Sequence, residues 1–268
     1  MNKTPNTQDE RLDYLVDAFK EDSDDYKQLA VPERVEEKRR ILRSLMNIRM
    51  PGELREDVLR VQDEYLKERA AEKGVVQLSD IPVIRDGLSI WQGDITRLAV
   101  DAIVNAANSQ MLGCFVPMHN CIDNCIHTFA GVQLRAECNR KMNNLRMRYG
   151  GNYEQPTALP MITEGYNLPA KKVIHVVGPI VHGSLTKQHE ELLASCYKSC
   201  LNLAAENGVD SIAFCCISTG VFMFPNERAA EIAVDTVEGW LKENNSHMRV
   251  IFNVFKDEDL EIYRRLLQ

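Results

Sequence analysis

The chain has 268 residues, 44% of them apolar and 26% charged, a balance that excludes a disordered chain and allows a sizeable core. Its net charge of -7, with no long Lys/Arg run, excludes nonspecific nucleic-acid binding, so an anionic ligand would be held mainly by backbone N–H groups. No stretch of about eighteen apolar residues occurs, the first five residues carry no apolar signal core, and the cysteines lack an extracellular spacing. A cytoplasmic protein with reduced thiols and no membrane partner is expected.

Residues 1–75 are charged and carry apolar residues at helical spacing. Leu12, Leu15, Val16 and Phe19 form one stripe, and Val35, Ile41, Leu42, Leu45 and Met46 a second. After the Pro51-Gly52 break, Leu54, Val58, Leu59, Val61 and Leu66 build a third, ending near Gly74. This predicts an all-helical extension whose stripes cover the flank of the next domain. Residues 75–85 read as the connection.

From Gly87 the pattern alternates. Short runs rich in Val and Ile predict strands at 88–91, 102–105, 158–163, 173–177, 211–217 and 250–255. Helices are predicted over 122–142 and over 187–207 with Gly208 as the stop; another opens at Asn226 as its cap, and a last one follows Asp257. Residues 76–268 should therefore form an α/β domain, its mixed or mostly parallel sheet covered on both faces and its ligand beyond the carboxyl ends of the strands.

Four loops should meet at that rim: 93–96, the stretch after Asn105, 218–222 and 255–257. In the second, Cys114, His119 and Cys121 lie within eight residues, a donor set suited to zinc. Three ligands would leave a coordination position open for chemistry, whereas Cys125, one turn beyond Cys121, could close the site as a fourth. The cysteines could equally be small core residues. Asp94 can accept from an amine or simply shape a turn. Ser218, Thr219 and Gly220 can turn N–H groups toward an anion, although no Walker spacing is present. Phe222 and Phe224 can face a sugar or base or fill the core, and the amides of Asn105 and Asn108 suit ribose hydroxyls or turn closure.

Five segments in this order, Gly93-Asp94-Ile95-Thr96, Val104-Asn105-Ala106-Ala107-Asn108-Ser109, Asp123-Asn124-Cys125-Ile126-His127 with Ala130-Gly131, Val176-Val177-Gly178-Pro179, and Ile217-Ser218-Thr219-Gly220-Val221-Phe222, resemble the macrodomain. The resemblance runs from about Gly87 to the C-terminus and takes in 255–259. It implies a three-layer α/β/α fold with a central mixed sheet and a cleft for ADP-ribose. Asp94 would read the adenine amine with the Ile95 backbone nearby, Ser218, Thr219, Gly220, Val221 and Phe222 would hold the diphosphate, and Asn105 and Asn108 would lie at the distal ribose. Where common hydrolytic macrodomains have a glycine run, this chain has residues 113–121. That departure, with the helical extension, resembles the zinc-dependent microbial macrodomains, hydrolases of protein-linked ADP-ribose that often accompany a sirtuin-type ADP-ribosyltransferase.

The resemblance implies one zinc ion on Cys114, His119 and Cys121, with Cys125 and His127 as helix packing, which favours the open site. Asn108 and Asp123 are the expected catalytic residues. Asn108 would orient the sugar, and Asp123 would position water unless it only caps the helix. The expected reaction is hydrolysis of the ester joining mono-ADP-ribose to an Asp or Glu of a modified protein, with zinc polarising the ester or a distal-ribose hydroxyl, or acidifying a water. The competing readings are a non-catalytic reader of ADP-ribosylated protein, and a hydrolase whose zinc is structural. His175, in an apolar strand, is given no role.

Overall fold

Thr7 opens helix α1 (Gln8–Glu21) with a capping box: its hydroxyl accepts from the Glu10 N–H at 3.2 Å, and the Glu10 carboxylate accepts from the Thr7 N–H at 3.1 Å. The structure, a computed structural model, describes residues 5–268; most of the stretch read above for a signal core lies outside the described residues. Helices α2 (Val35–Ile48) and α3 (Glu56–Lys73) follow.

The three stripes do not chiefly cover the next domain, as expected, but close on each other. Leu12, Leu15, Val16 and Phe19 pack with Leu42, Leu45, Met46, Val58, Val61, Tyr65 and Leu66, and Val132 is the one buried member from beyond α3. Three helices that each carry an apolar face can bury it mutually. Polar contacts therefore make much of the joint to the rest of the chain. Gln62, 0% exposed, donates to Gln133 Oε1 at 2.7 Å and accepts from the Val132 N–H at 3.1 Å.

Beyond α3, β1 (Val76–Gln77) pairs in parallel with β3 (Leu98–Ala99). The main sheet contains β2 (Leu88–Gln92), β4 (Ala102–Ala107), β5 (Met161–Glu164), β6 (Lys172–Val177), β7 (Ser211–Phe214) and β8 (Arg249–Val254), in the order β2-β8-β7-β4-β6-β5. Only the β5–β6 pairing is antiparallel, so the sheet is mixed. Consecutive residues of β4, β6, β7 and β8 are nearly all buried, which requires cover on both faces. Helices α4 (Ile122–Ala130), α5 (Val132–Tyr149), α6 (Lys187–Glu206), α7 (Asn226–Glu243) and α8 (Asp257–Leu267) supply it.

Several local expectations change. The helix predicted over 122–142 is two helices, divided at Gly131 with φ +95°, where a Cβ would stand 2.8 Å from Gln62 Nε2. Apolar spacing continues across the break and hides it. The strand predicted from 158 starts at Met161, because Ala158 has φ +64°. The strand predicted to 217 ends at Phe214, before the turn into Ser218. Pro225, not Asn226, occupies the cap of α7; Asn226 instead donates from Nδ2 to Asp259 Oδ1 at 2.6 Å.

Because β2, β8, β7 and β4 run parallel, the loops after them leave one edge of the sheet. The Gly93 N–H donates to Val254 O at 2.9 Å and Gln92 Nε2 to Asp257 Oδ1 at 2.7 Å, joining the first and last loops at that rim. Among the described residues no helix is long and apolar enough to cross a membrane.

Candidate active site

The loop from β4 to α4 folds back on itself. Met111, Gly113 and Met118 have φ of 60°, 80° and 59°, a left-handed backbone that is uncommon for a methionine. Gly113 has a second reason to be glycine, since a Cβ there would lie 2.7 Å from the His127 ring. This folding brings ligand atoms of Cys114, His119 and Cys121 within 4.8 Å of one another, with Cys114 Sγ 3.5 Å from His119 Nδ1. Ligands on one tetrahedral zinc stand about 3.3–3.8 Å apart, so a small contraction meets that geometry. Two thiols and an imidazole also match the ion chemically.

Cys121, and not Asp123, caps α4: its Sγ accepts from the Asn124 N–H at 3.4 Å. Burial pushes its thiol up to about 12, against that N–H, and the nearby Cys114 and Asp123 push the same way as burial. A divalent cation held between the sulfurs would reverse this balance, because it would supply the missing counter-charge. Cys125 lies apart from the trio, its Sγ 3.6 Å from Arg43 Nη2.

Asp123 sits behind this loop, only 5% exposed. Its Oδ1 accepts from Asn105 Nδ2 at 2.7 Å and its Oδ2 from Asn108 Nδ2 at 3.4 Å. Burial raises its carboxyl to about 6, with the Asn105 donor and the Arg135 charge opposing. Asn105, expected at the ribose, is 0% exposed and gives its amide to Asp123 and to His175 Nδ1, the latter at 3.1 Å. It acts on Asp123; the half-buried Asn108 is the amide facing the loop, where it donates to Gly113 O at 3.2 Å.

His175, given no role above, and His127, expected to be helix packing, complete this buried group. His175 Nε2 is 3.0 Å from Thr163 Oγ1, and His127 Nε2 is 3.6 Å from Asp123 Oδ1. The pairing of Asn105 with His175 is set by the β4–β6 register, which the sequence does not display. The available signal was a polar residue in the middle of each apolar strand. His127, Cys138 and His175 also bring ligand atoms within 4.8 Å of one another, but all three are buried and burial holds the Cys138 thiol protonated. They are polar packing behind Asp123.

Burial, with Lys141 nearby, pushes His175 down to about 3 from 6.5. The unfolded chain therefore binds the extra proton first, and this group's contribution to stability is full above pH 6.5 and declines as pH falls toward 3. In denaturant unfolding at pH 7.5 and pH 4.5, wild type is expected to lose about 3 kcal/mol more than His175→Gln between the two conditions. Equal losses would remove His175 as the source.

At one end of the rim Asp94 accepts from the Thr96 N–H and Oγ1 at 3.0 and 2.6 Å, and from Lys73 Nζ at 2.5 Å. Burial opposes ionisation there, but the Lys73 and Thr96 donors outweigh it and hold the carboxyl below its usual range. Lys73 comes from α3 and lies 3.5 Å from the centre of the Phe129 ring. Each carboxylate oxygen has two lone pairs, so acceptor capacity remains for an amine. Ile95 beside it is buried.

The loop after β7 has the features of an anion cradle. Ser218 has φ +66°, and its buried Oγ has no partner among the described residues. The Phe224 N–H closes the loop on Ser218 O at 3.0 Å, while the N–H groups of Gly220, Val221 and Phe222 make no backbone bond among the described residues. Thr219 Oγ1 turns inward to Cys216 O at 2.9 Å. Phe224 is core, Phe222 is half-buried at the rim, and Val221 is 73% exposed. A Cβ on Gly178 would stand 2.1 Å from Ser218 Oγ and 2.8 Å from Ile217 Cγ2. Gly178→Ala is expected to displace this loop, costing about 1–3 kcal/mol of stability and roughly tenfold in affinity for the anionic ligand such a cradle would hold, read by calorimetric titration.

The Macro domain family profile matches residues 104–233. A protein-ADP-ribose hydrolase of Treponema medium is 51% identical over 265 residues, covering 97% of this chain and 99% of that protein. Its namesake from Staphylococcus aureus strain MRSA252 is 46% identical, covering 95% of this chain and 94% of that protein. The solved macrodomain of Oceanobacillus iheyensis with ADP superposes with a TM-score of 0.61 at 37% identity, over 70% of this chain and 93% of its own. With full-length similarity of this order resting on a mixed sheet whose loops converge at one rim, the chain belongs to the macrodomain family of protein-ADP-ribose hydrolases.

Proposed function

We propose that this hydrolase removes mono-ADP-ribose from Asp or Glu side chains of modified proteins, with one zinc ion held by Cys114, His119 and Cys121 and an open coordination position toward the distal ribose. The observation that carries the reading is the convergence of two thiols and an imidazole in the same loop as Asn108, which donates to Asp123, with Cys121 capping the helix that carries Asp123. When bound, zinc supplies Lewis-acid polarisation at the sugar end of the ligand.

The chain's own residues do the rest. Asp94 and the N–H groups of 220–222 bind the adenine amine and the diphosphate, fixing the ester over the loop. Asn108 orients the distal ribose. Asp123, ionised above about pH 6 and held by Asn105, orients water and accepts a proton from it as the water oxygen bonds to the anomeric carbon, the anomeric C–O bond breaks and the target's side chain leaves as a carboxylate. A sirtuin-type transferase would be the opposing enzyme.

Cys125 bears on the alternative of a closed, structural zinc. Its sulfur lies by Arg43 and outside the trio, which supports the open site. The test is release of ADP-ribose from ester-modified protein by metal-loaded and metal-stripped enzyme. Release should stop on stripping and return with zinc; unchanged turnover after complete removal would exclude the zinc mechanism.

A further inference from the structure

We propose that Arg43 of α2 is a positioning residue for the metal loop, so that the helical extension sets how tightly the following domain holds its ion. This rests on the reading of Cys114, His119 and Cys121 as zinc ligands. The loop has no regular secondary structure between β4 and α4, and within 113–121 its one internal backbone bond runs from the His119 N–H to Val116 O at 3.2 Å. Two left-handed methionines add strain. A loop of this kind holds three ligands in place only if something outside it does the holding.

Arg43 does so through carbonyls. Its Nη2 donates to His119 O at 2.8 Å and to Asn124 Oδ1 at 2.9 Å. Asn124, 0% exposed, in turn donates from Nδ2 to Cys114 O at 3.3 Å and Val116 O at 3.0 Å. One guanidinium thus fixes the backbone of two of the three ligand residues, His119 directly and Cys114 through Asn124.

The neighbouring turn of α2 adds a second grip. Asn47 Oδ1 accepts from the N–H of the left-handed Met118 at 3.1 Å, and its Nδ2 donates to Thr128 Oγ1 at 2.9 Å. Arg135 then ties Leu112 O, at 2.7 Å, to the end of α2 through Asn47 O at 2.8 Å and Arg49 O at 2.6 Å. Polar groups buried at a helix joint are costly when unmatched, and although Arg43 Nε has no partner among the described residues, the bonds of Arg43 Nη2, Asn47, Asn124 and Arg135 favour one register, which the loop inherits.

The experiment uses full-length wild type, Arg43→Ala and Arg43→Lys. Zinc affinity is read by competition with a chromophoric chelator, and ADP-ribose affinity by titration of the metal-stripped chains. Removing a partner that orients metal ligands is expected to weaken zinc by about 10–100-fold in Arg43→Ala, with ADP-ribose affinity changed by less than about twofold and Arg43→Lys recovering part of the zinc loss. If the alanine chain does not fold, Arg43→Gln carries the same comparison. Zinc affinity equal to wild type, or zinc and ADP-ribose affinities falling together, would overturn the inference and leave Arg43 as ordinary packing. A wild-type chain that binds no zinc would overturn this inference together with the reading beneath it.

Discussion

Cys114→Ser and His119→Ala are expected to lower ADP-ribose release from ester-modified protein by about a thousandfold or more, while free ADP-ribose still binds with affinity within about tenfold of wild type. The split follows from geometry. Both side chains belong to the loop between β4 and α4, whereas the adenine and diphosphate contacts are assigned to loops after β2 and β7, held by their own bonds. Losing one of three ligands leaves too few donors for tight zinc binding, and a hydroxyl is a poor substitute for a thiolate. The serine variant is the more stringent of the two, since it removes little volume from a half-buried site. Stopped-assay release and calorimetric binding on the same preparations check it. Equal loss in both assays would mean that the loop shapes the nucleotide cleft instead of carrying the chemistry.

Asp123→Asn is expected to reduce turnover by about a hundred- to ten-thousandfold, while the unfolding midpoint at pH 8 stays at or above the wild-type value. These opposite directions have one cause. An ionised carboxylate at 5% exposure costs stability, as its rise to about 6 from 3.8 indicates. For a raised carboxyl the folded state binds more protons between those values, so this group's contribution to stability falls as pH rises through about 6. The neutral amide avoids that cost and can still accept from Asn105 Nδ2, so the hydrogen bond at 2.7 Å survives. What it cannot do is take a proton from water. Turnover of Asp123→Asn within about threefold of wild type would remove Asp123 from the proposed mechanism and leave the loop to act without it.

Asp94 was singled out in the sequence because Gly93-Asp94-Ile95-Thr96 follows a predicted short strand, and in the structure it follows β2 and accepts from Thr96 and Lys73. Its partner was not, since Lys73 sits twenty-one residues earlier on a helix and reaches Asp94 only after α3 has packed. The three N-terminal helices were visible as stripes, but stripes state that an apolar face must be covered and not by what. The structure covers them largely with each other and leaves Arg43, Asn47 and Gln62 to meet the following domain through polar bonds.

By itself the sequence determined the alternation of elements, the α/β class and the placing of Cys114, His119 and Cys121 on one short loop, because periodicity and ligand spacing are local properties of the chain. Tertiary structure alone decided that Cys121 caps α4, that Cys125 turns toward Arg43, and that Asn105 serves Asp123 and His175. Those facts depend on strand register and on which helix face meets which neighbour. Register and facing are chosen by the packing of residues far apart in the chain, and no local pattern records that choice.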